Sequence, residues 1–199
     1  GYPADTSWLP LDEVKTASAV HADSRWKTGA IALFDAAADA GIPSVFDADA
    51  GEPEEVLTIA QRATHPVFSE PMLESLGFGE PAEALKRAFG GRNQICGVTL
   101  GGVGVMWFNG VDMHRAPARR VVSIDTLGAG DTWHGAFALA LAEKQELNDA
   151  IRFANAAAAL KCTRFGGREG IPTRAETNQM LATPITRPPL NIPPIMRQS

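Results

Sequence analysis

Short apolar runs alternate with longer amphipathic stretches over the first ninety residues. The apolar runs, which predict strands, lie at 18–22, 45–46 and 67–68. The amphipathic stretches, which predict helices, cover 27–40, a segment opened by Pro53 and about 80–89. Gly41 and Pro43 form a stop signal after the first of these helices. The resulting β-α-β-α-β-α order predicts a parallel sheet covered by helices.

The pattern changes after residue 94. Three further apolar runs predict strands at 95–100, 103–108 and 120–124. The dipeptide Asn109-Gly110 predicts a hairpin, with residues 111–114 returning antiparallel. Two helices are expected at about 131–144 and 147–162, and the second contains four consecutive alanines, which favour helix and permit close packing.

Composition places the chain among ordinary globular proteins. Of its 199 residues, 45% are hydrophobic and 21% charged, which is enough apolar material for a core. No apolar run reaches the roughly 18 residues of a membrane span, so no membrane partner is expected. The net charge of −5 offers no basic face, so no nucleic-acid partner is expected either.

Two cysteines, Cys96 and Cys162, are too few for a disulfide framework, and the four histidines are scattered. Two reduced thiols predict a cytoplasmic protein. Five prolines fall within residues 184–194, which divides the chain into a domain at 1–183 and a proline-rich tail at 184–199, either disordered or extended along a surface. The start at Gly1, with no targeting pattern, leads us to expect further residues before it.

The strongest chemical signal is the string Asp-Thr-Leu-Gly-Ala-Gly-Asp at 125–131, between a predicted strand and a helix. Its glycines allow a tight turn, and the amides of 128–131 at the helix start attract anions. Asp131 places a carboxylate beside that anion site. This arrangement suits a base that deprotonates a hydroxyl attacking a phosphate.

Each residue of this string also has a plain structural interpretation. An aspartate at a helix start is usually a cap, and Gly-x-Gly is usually a turn. The string does not fit a dinucleotide fingerprint, because Trp133 occupies the place of the third glycine, and the chain has no P-loop motif.

The string at 125–131 resembles the second signature of the ribokinase-like (PfkB) carbohydrate kinases. The similarity continues through residues 150–159 and 163–167 and reaches back to 98–104; roughly 18–182 fit. It implies an α/β fold: a Rossmann-like three-layer αβα sandwich of the ribokinase type. The match is to the C-terminal two-thirds of the family, with the N-terminal strands and the lid missing.

The resemblance also implies roles for individual residues. Asp131 would be the general base for a sugar hydroxyl, and Gly128, Ala129 and Gly130 would supply amides to the transferring phosphoryl group. ATP and Mg²⁺ would be required. The residues expected to bind the nucleotide are Thr99, Gly101, Gly102, Gly104 and Asn155.

Metal sites are less well defined. Asp125, with the carbonyls of Leu127, Cys162 and Phe165, resembles a monovalent-cation loop, which makes K⁺ a further candidate cofactor; a turn-closing aspartate is the equal alternative. Where many members carry Asn-x-x-Glu to organise magnesium, residues 69–72 read Ser-Glu-Pro-Met. Either Glu70 or Glu74 substitutes, or phosphates and water hold the ion, so magnesium ligands stay unassigned.

Arg25 follows a predicted strand end, where ligands of parallel sheets gather. The stretch Asp-Ser-Arg-Trp at 23–26, with residues 159–167, is most similar to the sulfofructose kinase branch. There Arg25 would grip an anionic sulfonate; the alternative, slightly favoured on the residues alone, is a surface arginine stacked on Trp26.

Three functions are consistent with this sequence. The first is an ATP-dependent sugar kinase, with a homodimer through the missing N-terminal region as one option. The second is a nucleotide-binding remnant without transfer activity, because a missing lid leaves the site open to water. The third is an α/β domain whose glycine turn is structural, which the intact Asp131 disfavours.

Overall fold

The computed structural model describes residues 2–91 and 93–183 and contains one six-stranded sheet. The strands are β1 (Val20–Asp23), β2 (Ser44–Ala48), β3 (His65–Ser69), β4 (Cys96–Thr99), β5 (Gly104–Phe108) and β6 (Met113–Pro117). They lie side by side in chain order. Strands β1 to β4 are parallel, and β5 and β6 pair antiparallel, which confirms the change of pattern expected after residue 94.

Seven α-helices connect or flank these strands in the described part of the chain. They are α1 (Lys27–Ala40), α2 (Pro53–Ala60), α3 (Glu70–Ser75), α4 (Pro81–Ala88), α5 (Ala129–Ala142), α6 (Leu147–Cys162) and α7 (Arg174–Ala182). Short 3-10 helices lie at Leu11–Thr16 and Gly101–Val103. As predicted, α1 ends at Gly41 in the left-handed conformation and α2 begins with Pro53 in its first turn.

The sheet buries both of its faces. In β2, Phe46 packs in one core with α1 to α4, whereas its neighbour Val45 packs in a second core with α5 and α6. Val67 and Phe68 divide in the same way in β3. Because alternate strand residues point to opposite faces, two helical layers are needed to cover them. This arrangement confirms the three-layer α/β fold.

The prediction of a strand at 120–124 is wrong. Residues 121–123 form no regular element, and Val122 is 86% exposed. The amides of Ile124 and Asp125 both donate to the Cys162 carbonyl, at 2.7 and 3.2 Å, instead of to a neighbouring strand. The β-branched residues Val121, Val122 and Ile124 therefore suggested a strand in a segment whose hydrogen bonds are made with the end of α6.

Two helices were missed, although each carries a start signal. The side chain of Ser69 accepts the Met72 amide and Pro71 lies in the first turn of α3. Thr173 and Glu176 form a reciprocal capping box at the start of α7. The predicted tail at 184–199 lies outside the described residues. Within the described residues, no helix has both the length and the apolarity needed to cross a bilayer.

The hairpin at Asn109-Gly110 forms with a longer loop than the dipeptide alone suggests. The Asn109 side chain accepts the amides of Val111 and Asp112, at 2.9 and 2.7 Å, and Gly110 has φ of 92°. The return strand consequently begins at Met113 rather than at 111.

A substitution of Phe34 tests whether the packing of α1 on the sheet stabilises the folded state. Its ring is fully buried and meets the Phe46 ring edge-on, with centroids 6.0 Å apart. We expect Phe34→Ala to lower the free energy of unfolding by about 3–5 kcal/mol, since it leaves a cavity. Urea denaturation measures the change, and Val111→Ala, at an 81% exposed position, is the control. Equal effects in the two variants would contradict this packing.

Candidate functional site

The turn before α5 is held by the carboxylate of Asp125. One oxygen accepts the Leu127 amide at 2.9 Å, and the other accepts the Gly166 amide at 3.0 Å. These bonds, led by the Leu127 amide, hold the pKa of Asp125 below its usual range. The turn-closing interpretation of Asp125 therefore agrees with the geometry.

Gly128 converts this turn into the start of a helix. It lies in the left-handed region at φ 74°, which favours glycine, and it is the N-terminal flanking residue of α5. The Ala129 amide donates back to the Thr126 carbonyl at 3.1 Å and so closes the turn. The next amides, of Gly130 and Asp131, stand in the first helical turn, where N–H groups have no carbonyl partner within the helix.

All five residues expected to bind a nucleotide line one cavity of about 530 Å³, named here the glycine groove. It contains Thr99, Gly101, Gly102, Gly104, Ala129, Gly130 and Asn155. Lining residues that the sequence analysis did not single out include Arg119, Arg120, Val121, Ser123, Thr126 and Trp133. The segment once expected to be a strand thus forms part of the wall.

Two glycines of this groove, Gly104 and Gly102, differ in the space around them. A Cβ on Gly104 would lie 2.1 Å from the Ala116 carbonyl oxygen, and the residue has φ of 124°. Gly104 is therefore required by the close approach of β6. A Cβ on Gly102 would meet no atom within 4 Å, so this position faces open space in the groove.

Asn155 is buried and already hydrogen-bonded. Its side-chain oxygen accepts from the Trp133 indole at 2.8 Å, and its amide nitrogen donates to the Pro117 carbonyl at 3.1 Å. The residue therefore ties α5 and β6 to α6 at the wall of the glycine groove. This support adds to the nucleotide contact predicted for it.

A second cavity of about 700 Å³, named here the acidic cavity, lies at the carboxyl ends of β1 and β2. Its polar lining residues are Glu13, His21, Asp23, Asp47 and Asp131. Apolar walls come from Leu9, Leu11, Val14, Trp26 and Leu33. Such a mixture of apolar walls and a few convergent polar groups is typical of small-molecule sites.

A buried Asp47–His134 pair lies beneath this cavity and was missed in the sequence analysis. His134 Nδ1 is 3.2 Å from an Asp47 carboxylate oxygen and 2.9 Å from the Gly130 carbonyl oxygen. Burial raises the pKa of Asp47 to about 7 and lowers the pKa of His134. The sequence shows a histidine one helical turn after Gly130 and an acid near a predicted strand, but no local pattern indicates that these two residues are partners.

Arg25 sits outside the lining of the acidic cavity. It pairs with the Asp23 carboxylate and lies 3.8 Å from that of Asp49, and its side chain is 56% exposed. The predicted stacking on Trp26 is not formed among the described residues: Trp26 stacks instead on Tyr2 and Trp8, with centroids 6.0 and 5.6 Å away. Arg25 is thus an exposed cation held by two carboxylates near the cavity.

The two cavities meet at the start of α5. Ala129 and Gly130 line the glycine groove, whereas the next residue, Asp131, lines the acidic cavity. A ligand in each cavity would therefore face the other across one helix N-terminus, which attracts negative charge. The arrangement can stabilise an anion passing between the cavities and offers a carboxylate base on one side.

The predicted magnesium candidates are not gathered into a site. Glu70 and Glu74 are both exposed on the short helix α3. Among residues 2–91 and 93–183, no group of three or more His, Cys, Asp or Glu side chains is arranged to hold a metal ion.

The similarity to known proteins extends over most of the chain. A sequence model of the pfkB family carbohydrate kinases matches residues 4–174. Ribokinase of Bacillus subtilis is 44% identical over 85 residues, which cover 43% of this chain and 29% of that protein. Fructosamine kinase FrlD of the same organism is 33% identical over 138 residues, or 68% of this chain and 47% of the relative.

A solved structure of Arabidopsis thaliana ribokinase, complexed with ribose and ATP, superposes with a TM-score of 0.79 at 26% identity. The superposition covers 92% of this chain and 62% of that one. The chain thus spans less than two thirds of the length of the relatives described here.

Substitutions at Gly102 and Gly104 test the predicted nucleotide contact separately from folding. We expect Gly102→Ala to leave the thermal midpoint within about 2 °C and to weaken ATP binding roughly tenfold, because the methyl group projects into the groove. Gly104→Ala should instead lower the midpoint, because its Cβ would overlap β6. Calorimetric ATP titration and thermal unfolding measure both effects. Unchanged ATP affinity in Gly102→Ala would move the nucleotide elsewhere.

Proposed function

The chain belongs to the pfkB family of carbohydrate kinases, and on that premise we propose that it transfers the γ-phosphoryl group of ATP to a sugar hydroxyl. The observation that carries this proposal is the position of the α5 N-terminus. Gly130 lines one cavity and Asp131 the other, so a donor and an acceptor would meet at the same helix end.

Asp131 is the proposed general base. Its carboxylate lines the acidic cavity in the first turn of α5. As the sugar oxygen attacks the γ-phosphorus, its proton passes to the Asp131 carboxylate, and the bond between the phosphorus and the ADP oxygen breaks. A carboxylate at this point serves as a proton acceptor, whereas it would only repel a phosphate that was merely bound.

The start of α5 is the proposed anion hole. Gly128, Ala129 and Gly130 bring backbone amides and the positive end of the helix dipole to the transferring group. Because the Ala129 amide also closes the turn on Thr126, the Gly130 amide is the one best placed to follow the developing charge.

The glycine groove is the proposed ATP site, with Thr99, Gly101, Gly102, Gly104 and Asn155 against the nucleotide. Magnesium, when bound with ATP, would neutralise phosphate charge. The described residues supply no assembled carboxylate cage, which fits an ion held by phosphates and water.

The sugar is proposed from both the cavity and the relatives. The relatives are kinases named for ribose, fructose and fructosamine, which support a neutral or amino sugar. An anionic sugar such as sulfofructose is the more specific proposal, and it rests on Arg25. To bind a sulfonate, Arg25 would have to give up an ion pair with Asp23 or Asp49 and donate to the ligand instead.

A nucleotide-binding remnant without transfer is the alternative function. The acidic cavity is bounded on one side by residues 9–17, and a lid over it would be needed to exclude water. ATP binding without phosphorylation of any sugar would favour this alternative. A homodimer and a cytoplasmic location remain predictions of the sequence.

Asp131→Asn tests the base. The amide keeps the shape of the side chain but cannot accept the proton, so we expect at least a thousandfold loss of kcat with ATP affinity within about twofold of wild type. Steady-state kinetics and calorimetry measure the two quantities. Asp149→Asn, on the exposed side of α6, is the matched control. Activity near the wild-type level in Asp131→Asn would refute the assignment.

Arg25→Ala tests the anionic-sugar proposal. Loss of the guanidinium should raise KM for a sulfonated or phosphorylated sugar about tenfold or more and leave KM for neutral sugars within about twofold. Arg62→Ala removes another exposed, paired arginine and serves as the control. Equal changes for neutral and anionic sugars would reduce Arg25 to a structural role.

A further inference from the structure

Lys161 carries an ammonium group inside the protein. It lies in the last turn of α6, and its side chain is fully buried. A lysine is rarely buried completely, because removing its charge from water is costly unless the charge is paired. None of the roles assigned above uses this residue.

The partner of this buried charge is the turn that precedes α5. Lys161 Nζ donates to the Asp125 backbone carbonyl at 3.0 Å and lies 3.5 Å from the Asp125 carboxylate. The same carboxylate accepts the amides of Leu127 and Gly166. The ammonium thus completes a set of contacts that fixes where the anion-binding turn begins.

This place is where the sequence analysis expected a monovalent cation. Two residues of that expected ligand set already have partners, and the Asp125 carboxylate accepts two amides as described. The Asp125 carbonyl accepts the Lys161 ammonium, and the Cys162 carbonyl accepts the amides of Ile124 and Asp125. A potassium ion on the Asp125 carbonyl would also lie within a few ångströms of a like charge. The residues present therefore do not fit a bound K⁺.

We propose that the Lys161 ammonium is a tethered cation that takes the place of a monovalent ion beneath the anion-binding turn, so that this protein needs no K⁺. Lys161 is a positioning residue: it acts through Asp125 and touches no substrate. The role of the turn in binding an anion rests on the proposed kinase function. The replacement of the ion by the Lys161 side chain does not rest on it.

The two kinds of cation differ in a measurable way. A bound ion stabilises the folded state in proportion to the logarithm of its concentration, whereas a covalently attached one is always present. The wild-type chain should therefore show the same thermal midpoint in KCl and in choline chloride at equal ionic strength. A substitution that removes the ammonium and leaves its space empty should make the thermal midpoint depend on the K⁺ concentration.

The experiment compares Lys161→Ala with Lys161→Met by thermal unfolding of the full chain in KCl and in choline chloride. Both variants should lose on the order of 10 °C in choline chloride, because each leaves the Asp125 carboxylate without its cation. KCl should restore a large part of that loss in Lys161→Ala, saturably. It should not restore it in Lys161→Met, whose side chain fills the space.

The wild-type titration decides the matter even where a variant does not fold. A saturable, K⁺-specific rise of the wild-type midpoint would overturn the proposal, and so would a Lys161→Ala midpoint that equals the wild-type value in choline chloride. ATP affinity, measured by calorimetry in the same salts, should follow the thermal midpoints. No step of the test requires phosphoryl transfer, so a failed kinase assignment would not be confused with a failed cation assignment.

Discussion

The hydrogen bonds of the Asp125 carboxylate fix the position of the turn before α5, and both cavities depend on that turn. By accepting the Leu127 and Gly166 amides, this side chain fixes the turn that ends in Gly128 and starts α5. The helix N-terminus then lies where the carboxyl ends of the parallel strands open. Its first residues are shared between a glycine-lined groove and a cavity of carboxylates. A shift of this turn would therefore move the first amides of α5 and the Asp131 residue together.

The start of α5 is held in a second way, by contacts with the sheet. His134 connects the Gly130 carbonyl to the Asp47 side chain and, through its other nitrogen, lies 3.3 Å from the Val67 carbonyl. One imidazole therefore links α5 to β2 and β3 directly below Asp131. Since buried polar groups are stable only when partnered, the pair fixes the helix start against the strand ends. Burial raises the pKa of Asp47 to about 7, which disfavours a negative charge on this side chain of the acidic cavity.

The order of strands and helices along the first 114 residues and most of the helices were predicted from the sequence, because hydrophobic period and helix stop signals are local. The residues of the glycine groove were named from the family resemblance. The prediction was wrong at 120–124, where a short apolar run suggested a strand but the amides of Ile124 and Asp125 donate to the Cys162 carbonyl. The pairs Asp47–His134 and Asp125–Lys161 could not be derived. Their members are 87 and 36 residues apart, and what unites them is burial in the folded chain. A period or a motif carries no information about such partners.

The two cavities also differ in how far apart in the chain their walls lie. The glycine groove is built within residues 99–162, around a hairpin whose strands pair locally. The acidic cavity joins residues 9–47 to Asp131. Closing the longer loop costs more chain entropy and slows folding. The acidic cavity is therefore complete only after the two ends of that longer loop have met, whereas the glycine groove needs contacts within residues 99–162 alone.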